Sequence, residues 1–419
     1  MRRERCATAF SLILLARNSW QVGASFAFEA FVKAPNAEEN DLLGQSVAYS
    51  ADTLVVGADG EDSCARGVDT TAAADNGCTD AGAVYVFKRS GTTWALEAYV
   101  KATNAGSDDH FGYSVALDGD TLAVGAYAEG SCTTGVATTA ATDNDCSGSG
   151  AAYVFKRSGT TWALEAYVKA PNAGFSEDNF GFLVAFRGHT RGTTWTFEAY
   201  VKATNAGQYD YFGTSVALDG DTLAVGAYAE GSCATGVATT AATDNGCDRA
   251  GAAYVFKRSG TTWTFEAYVK ATNAGQYDHF GYSVALDGDT LAVGAVNEDS
   301  CTTGVATTAA TDDGCSGAGA AYVFKRSGTT WTLEAYVKAP NTGQNDDFGD
   351  SVVLDGDTLA VGAVNEDSCA RGVDTTAATD DVCTNAGAVY VFKRSGTTWA
   401  LEAYLYDGRG HHRRHGRRL

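Results

Sequence analysis

The chain has 419 residues, 45% of them hydrophobic, with three prolines and 19% charged residues. That composition allows a large core in one or two domains and excludes a disordered chain. The net charge is −21, and nine of the bases lie before residue 26 or after residue 406, so the body carries 21 bases against 49 acids, about −28. Such a surface excludes nucleic acid and anionic lipid as partners.

Residues 1–25 open with Arg2, Arg3 and Arg5, run through an apolar stretch from Cys6 to Ala16 and reach the small residues VGAS at 22–25. This pattern predicts a secretory signal peptide. No later stretch has the ~18 apolar residues of a membrane span, and no hydrophobic C-terminal tail signals a lipid anchor.

The body is a tandem repeat. One unit runs from TTWALEAYVKA, a strand ending at Ala102, through the polar loop 103–110 to a second strand, FGYSVAL at 111–117. A third strand, TLAVGAY, covers 121–127; a long loop follows, then a fourth strand, GAAYVFKR, at 150–157. Short β-branched and aromatic runs bounded by Gly, Asn, Asp and Ser carry these assignments. LDGDTLAVGA at 117–126 recurs unchanged at 218–227, 286–295 and 354–363, and a worn copy, YSADTLVVGA, stands at 49–58. Asp118-Gly119 reads as a tight hairpin turn. It lacks the alternating oxygen ligands of a calcium loop and the following helix of a phosphate cradle. The alanine- and threonine-rich 136–143 is read as loop.

Each long loop carries one cysteine pair of constant spacing: Cys64/Cys78, Cys132/Cys146, Cys233/Cys247, Cys301/Cys315 and Cys369/Cys383. Zinc sites show close CxxC spacing, which is absent here. With an export signal, the pattern predicts one local disulfide per repeat.

Phe-Gly recurs at 111, 180, 212, 280 and 348, with Leu43-Gly44 as a variant. The copy at 180–203 lacks its middle, and the end, YDGRGHHRRHGRRL, departs from repeat composition. The breaks at 186–192 and 405–419 are read as splice or reading-frame errors, against a genuine short blade and basic tail. The organisation is therefore a signal at 1–25, a repeat domain at 26–405 and a basic tail at 406–419.

The Phe-Gly of FGYSVALDGDTLAVGA and the Gly125-Ala126 one strand later resemble the FG-GAP repeat of integrin α-subunit propellers. The resemblance covers about 26–405. Four antiparallel strands per tandem unit predict an all-β fold, a β-propeller of four-stranded blades, and the unit count gives five complete blades and one truncated, whereas the resemblance implies a propeller with a template of seven. It also implies an extracellular adhesion or ligand-binding role. The proline that ends the family motif is replaced by Asp59, Tyr127, Tyr228, Val296 or Val364, and the integrin-type D-x-D-x-D-G loop is absent.

Two loops of each unit share one face. The first carries Asn36, Asn104, Asn172, Asn205, Asn273 and Asn341, with Asp41, Asp109, Asp178, Asp210, Asp278 and Asp346. These residues fix the turn through backbone amides or ligate metal. The second carries Glu61 with Asp75, Glu129 with Asp143, Glu230 with Asp244, Glu298 with Asp312 and Glu366 with Asp380. These are solvated acids or, with the first loop, oxygen ligands for Ca²⁺, the only cofactor candidate. Tyr153, Phe155 and the Trp of each TTW are read as core, and pairs such as Lys156-Arg157 as solvated turn charges. The body holds only His110, His189 and His279, and no unique catalytic constellation. The expectation is a secreted, non-enzymatic module that binds an extracellular protein or glycan ligand. A structural matrix component and a propeller hydrolase or lyase are the alternatives.

Overall fold

A computed structural model describes residues 30, 32–172, 178–185, 195–370, 372–378 and 383–406. The signal segment at 1–25, the break at 186–192, His189, Asp380 and the tail from 407 lie outside them. The described chain is all-β: it forms five antiparallel sheets of five strands, blades of β-propeller type, and contains no helix. Two compact units divide them, with blades 1 and 2 in the unit that includes 29–198 and blades 3, 4 and 5 in the unit that includes 199–419.

Blade 2 shows the build. Phe111–Asp118 is the inner strand, followed outward by Thr121–Ala126, Ala151–Ser158 and Thr161–Lys169. Two-residue turns make the tight hairpins. Asp118 pairs with Thr121 and Ser158 with Thr161, and Gly119 (φ 55°) and Gly159 (φ 65°) each take the first turn position. The turn therefore spans Gly119-Asp120, with only the glycine at positive φ, as in two-residue turns that start with Gly. In the worn copy this position falls to Ala51, held at φ 53°.

Two expectations need correction. The TTW strand is the outer strand of the blade that precedes the polar loop, because the tight turn at 159–160 folds it back on Ala151–Ser158. The blade frame thus starts at the Phe-Gly strand, and 103–110 joins one blade to the next. By the same rule EAYLY at the C-terminal end belongs to Thr398–Tyr406, the fifth blade's own fourth strand. Nor are the blades four-stranded. The long loop lays Gly135–Ala137 along the free edge of Thr161–Lys169, pairing Gly135 with Lys169 and Val136 with Val168. The equivalent segments are Gly67–Asp69, Val237–Ala238, Val305–Ala306 and Gly372–Asp374. An edge otherwise open to strand addition is covered.

All five expected disulfides form: Cys64–Cys78, Cys132–Cys146, Cys233–Cys247, Cys301–Cys315 and Cys369–Cys383. Their Cα–Cα distances are 4.9–5.0 Å, and each closes the base of the loop that supplies the fifth strand.

Three of the five core clusters lie between blades, and the other two lie on blades 1 and 3 with their own loops. Period-two alternation gives each blade a Val/Ala face and an aromatic face. Val55, Val84, Val86 and Val100 of blade 1 meet Phe111, Tyr153, Phe155 and Trp162 of blade 2. The same pairing repeats between blades 3 and 4 and between blades 4 and 5. Such burial supplies most of the fold's stabilisation, about 25 cal/mol per Å² of apolar surface.

The seams also carry polar clamps. Glu97 of blade 1 accepts from Arg157 (3.2 Å) and from the Trp162 indole (3.0 Å) of blade 2, and the guanidinium lies 5.3 Å from the indole centre. Glu266 and Glu334 hold Arg326 with Trp331 and Arg394 with Trp399 in the same way. These arginines are only 11–14% exposed, which corrects their reading as solvated turn charges.

At the inner strands the backbones approach closely. A Cβ added to Gly57, Gly226 or Gly294 would lie 2.0 Å from the carbonyl oxygen of Gly112, Gly281 or Gly349 in the next blade. Ser46, Ser215 and Ser283 donate to those same carbonyls at 2.7–2.8 Å. Turn residues cross the seam too, as Gly356 N–H donates to Asp287 at 2.8 Å. The truncated copy obeys this code within the first unit. Phe180 bridges to Gly150, Ser114 donates to the Gly181 carbonyl, and the Trp195 indole donates to Glu165.

Gly294→Ala should therefore destabilise the chain by about 1–3 kcal/mol through overpacking. Gly362→Ala should cost less, because a Cβ there meets only the Ser351 side chain within 3.4 Å. Chemical denaturation of the two variants checks the contrast.

Candidate functional site

In blades 1 to 4 the polar loops come together at one end around a buried ion pair. In blade 2 the Cys loop places Glu129 against the last residue of the outer strand, Lys169, with Nζ 2.7 Å from Oε2. Both are about 2% exposed. Lys169 also donates to Ser149 Oγ, and Ser131 N–H donates to Glu129. The other carboxylate oxygen accepts from Asn104 (2.9 Å), whose carbonyl oxygen accepts from the Tyr153 hydroxyl (2.7 Å). One network thus ties the incoming loop, the Cys loop and two strands. Glu61–Lys101, Glu230–Lys270 and Glu298–Lys338 repeat it at 2.6–2.9 Å.

Sequence reasoning found the Glu and the Asn but missed the Lys, the last letter of each EAYVK. Its signal was its recurrence in all five copies of EAYVK. A lone buried charge is costly, and pairing with full hydrogen bonding is what makes it tolerable. In blade 5 the position falls to Tyr406. Glu366 there keeps Asn341 (2.8 Å) and Ser368 N–H (3.1 Å), and burial raises its pKa.

The remaining candidates serve the loops. Asp109, Asp210, Asp278 and Asp346 accept the N–H three residues earlier at 2.6–2.8 Å, as Asp41 does from Glu38. The residues on both sides of each take positive φ, for example Asp108 (64°) and His110 (56°). Asp75, Asp143, Asp244 and Asp312 hold a serine hydroxyl and the amide of the first cysteine of each pair, so they brace the disulfide loop.

The second cysteine of each pair is held by its backbone as well as by its sulfur. The N–H groups of Cys78, Cys146, Cys247, Cys315 and Cys383 donate to the carbonyls of Asp62, Gly130, Gly231, Asp299 and Asp367 at 2.7–2.9 Å. Each acceptor lies two residues before the first cysteine of the pair, so covalent and hydrogen bonds close the same neck. The sequence pattern had assigned these five cysteines to the disulfide alone. All ten loop cysteines are therefore structural, and none offers a free thiol to a ligand or a metal.

Calcium takes six to eight oxygens around one centre. Here one Glu oxygen faces a lysine ammonium, and the aspartates point to separate backbone amides. Among the described residues no group of three or more His, Cys, Asp or Glu is arranged to hold a metal ion. The donor sets of the described residues do not fit Ca²⁺. Saturating Ca²⁺ and then EDTA should leave the melting temperature of the unreduced protein unchanged, because a cation bound only by the folded state would raise it.

Burial pushes the carboxyls of Asp109 and Asp278 up to about 7, and that of Asp347 to about 6. His110 is also raised, by the Asp59 carboxylate and other nearby acids working against burial. A carboxyl with a raised folded pKa binds more protons folded than unfolded between the two values. Stability should therefore increase as pH falls from about 7 towards 5. Burial, with Arg249 nearby, shifts His279 down, which opposes this. Melting curves between pH 5 and 8 test the sign, and Asp278→Asn should flatten the slope.

No curated protein matches the chain. The FG-GAP repeat family matches residues 26–87, 94–155, 195–256, 263–324 and 331–392. Each match that begins at a TTW strand takes the outer strand of one blade and the inner strands of the next, and together the matches cover well over half of the sequence. The chain belongs to the FG-GAP repeat family.

Proposed function

We propose that the chain is an extracellular, non-enzymatic binding module of the adhesion type. The observation that carries this reading is the use of the repeated polar residues. Glu129, Lys169, Asn104, Asp109 and Asp143 hold one another or the backbone, and the same arrangement recurs in other blades. A catalytic site needs one distinct constellation of acid, base or nucleophile, whereas these copies serve structure and leave the loop ends as a repeated display surface. Five disulfides support an oxidising compartment. No described helix is long and apolar enough to cross a membrane.

Repeated surfaces favour repetitive ligands, to which several weak contacts add as avidity. Beads coated with the unreduced protein should bind saturably to cell-wall or matrix preparations. The free protein should compete, and prior reduction of the disulfides should weaken binding. Absence of saturable binding to any such surface, or turnover of a polysaccharide or ester substrate, would overturn the reading.

A further inference from the structure

The copies differ from one another at few places, and several of these cluster at the loop end of the inner strands. The residue before each loop aspartate is Asn40, Asp108, Tyr209, Tyr277 or Asn345, and the one after it is Leu42, His110, Tyr211, His279 or Asp347. The residue after TLAVGA is Asp59, Tyr127, Tyr228, Val296 or Val364. Tyrosine accumulates at the copies of blades 3 and 4.

Exposure follows the same line. All five exposed tyrosines among the described residues lie between 200 and 282, in the second unit: Tyr200 (62%), Tyr209 (71%), Tyr211 (50%), Tyr277 (49%) and Tyr282 (39%). Tyr200 belongs to the truncated copy. Its counterparts Tyr99, Tyr167, Tyr268 and Tyr336 are buried between strands, but residues 199–201 form no strand and release the ring.

Tyr211, Tyr228, Tyr282 and His279 form a continuous row. Tyr211 stacks on Tyr228 at 5.3 Å and 5°, and Tyr228 meets the edges of Tyr282 (5.6 Å) and His279 (5.2 Å). At one end a concavity of about 390 Å³ is lined by Tyr200, Tyr209 and Tyr211 together with Lys202 and Asp210. Along the row, His279 Nδ1 lies 3.0 Å from the Asn297 amide nitrogen, while its buried Nε2 has no hydrogen-bond partner among the described residues. In the first unit, by contrast, Tyr113 and Tyr127 pack against Phe182, and neither is exposed.

We propose that this tyrosine row is a binding site for an uncharged oligosaccharide, whose pyranose rings stack on the tyrosine faces. The proposal rests on the binding reading given above and names its ligand class and site. A pyranose has an apolar C–H face and a rim of hydroxyls. Exposed tyrosines offer a flat π surface with a polar tip. The concavity is of ligand size, and a few polar groups, Lys202 and Asp210, stand beside its aromatic lining, the usual composition of a small-ligand site. Val201 is the only aliphatic side chain beyond alanine in that lining, so an apolar peptide anchor would find little to fill against. The strongly acidic body selects against anionic glycans.

The test is calorimetric titration of the full unreduced chain with cellohexaose, chitohexaose and mannohexaose at about millimolar concentration. At least one should bind. Tyr209→Ala and Tyr211→Ala should each weaken it by about tenfold, a 1.4 kcal/mol loss, with melting temperatures unchanged because both rings are exposed. Tyr113→Ala, in the first unit, should leave binding intact. No heat with any of the three, or binding indifferent to the tyrosine changes, overturns the proposal. Saturable attachment to matrix that survives removal of its glycans also overturns it while leaving the binding reading in place. Loss of all saturable attachment would instead sink the binding reading.

Discussion

Neighbouring blades are held so close at their inner strands that one backbone carbonyl occupies the space of a missing side chain. This single approach organises much of the sequence. Glycine must stand at 57, 226 and 294, and the serine paired with each across the hairpin reaches the same carbonyl. The valine face and the aromatic face must then match in thickness, because the spacing between blades is set by backbone and not by the packing side chains. The Glu–Arg–Trp clamp fixes the outer part of the same seam. A blade in this chain is thus a surface pair, and one or both of its faces are completed by a neighbour.

The loop end obeys a different constraint. There the chain must leave one blade, enter the next and accommodate a long cysteine loop. The Glu–Lys pair with its Asn and Tyr partners supplies the hydrogen bonds that such a junction needs. Carboxylates gathered in this way imitate a metal site in sequence, and the imitation is instructive. Acidic loops signal calcium only when their oxygens share a centre, and here they are turned instead towards protein donors.

Much of this was legible in the sequence. Periodicity and the Asp-Gly signal located the inner strands, and cysteine spacing gave the disulfides. Two things were hidden. The blade frame depended on which of two loops was a tight turn, and Gly159-Thr160 looked no more decisive than the polar loop 103–110. The fifth strand was hidden because Gly135–Ala137 is only three residues long, with one strand former between Gly and Ala; it is ordered by the edge it covers. The lysine of EAYVK escaped notice because a cation at the end of a strand normally points to water, and only the fold brings Glu129 to it. The tyrosine row was invisible for the opposite reason. Its members are scattered along the chain, and only the exposure of the rings unites them.

The disulfides carry a further consequence for biogenesis. Each joins the two cysteines of a single blade, 14 residues apart, and none links one blade to another. In an oxidising compartment, a chain emerging N-terminus first would bring each loop cysteine to its native partner before the next pair appears. Pairing is then decided by order of appearance, and a chain built this way has little need of disulfide reshuffling. The slow events of maturation fall instead to the docking of finished blades.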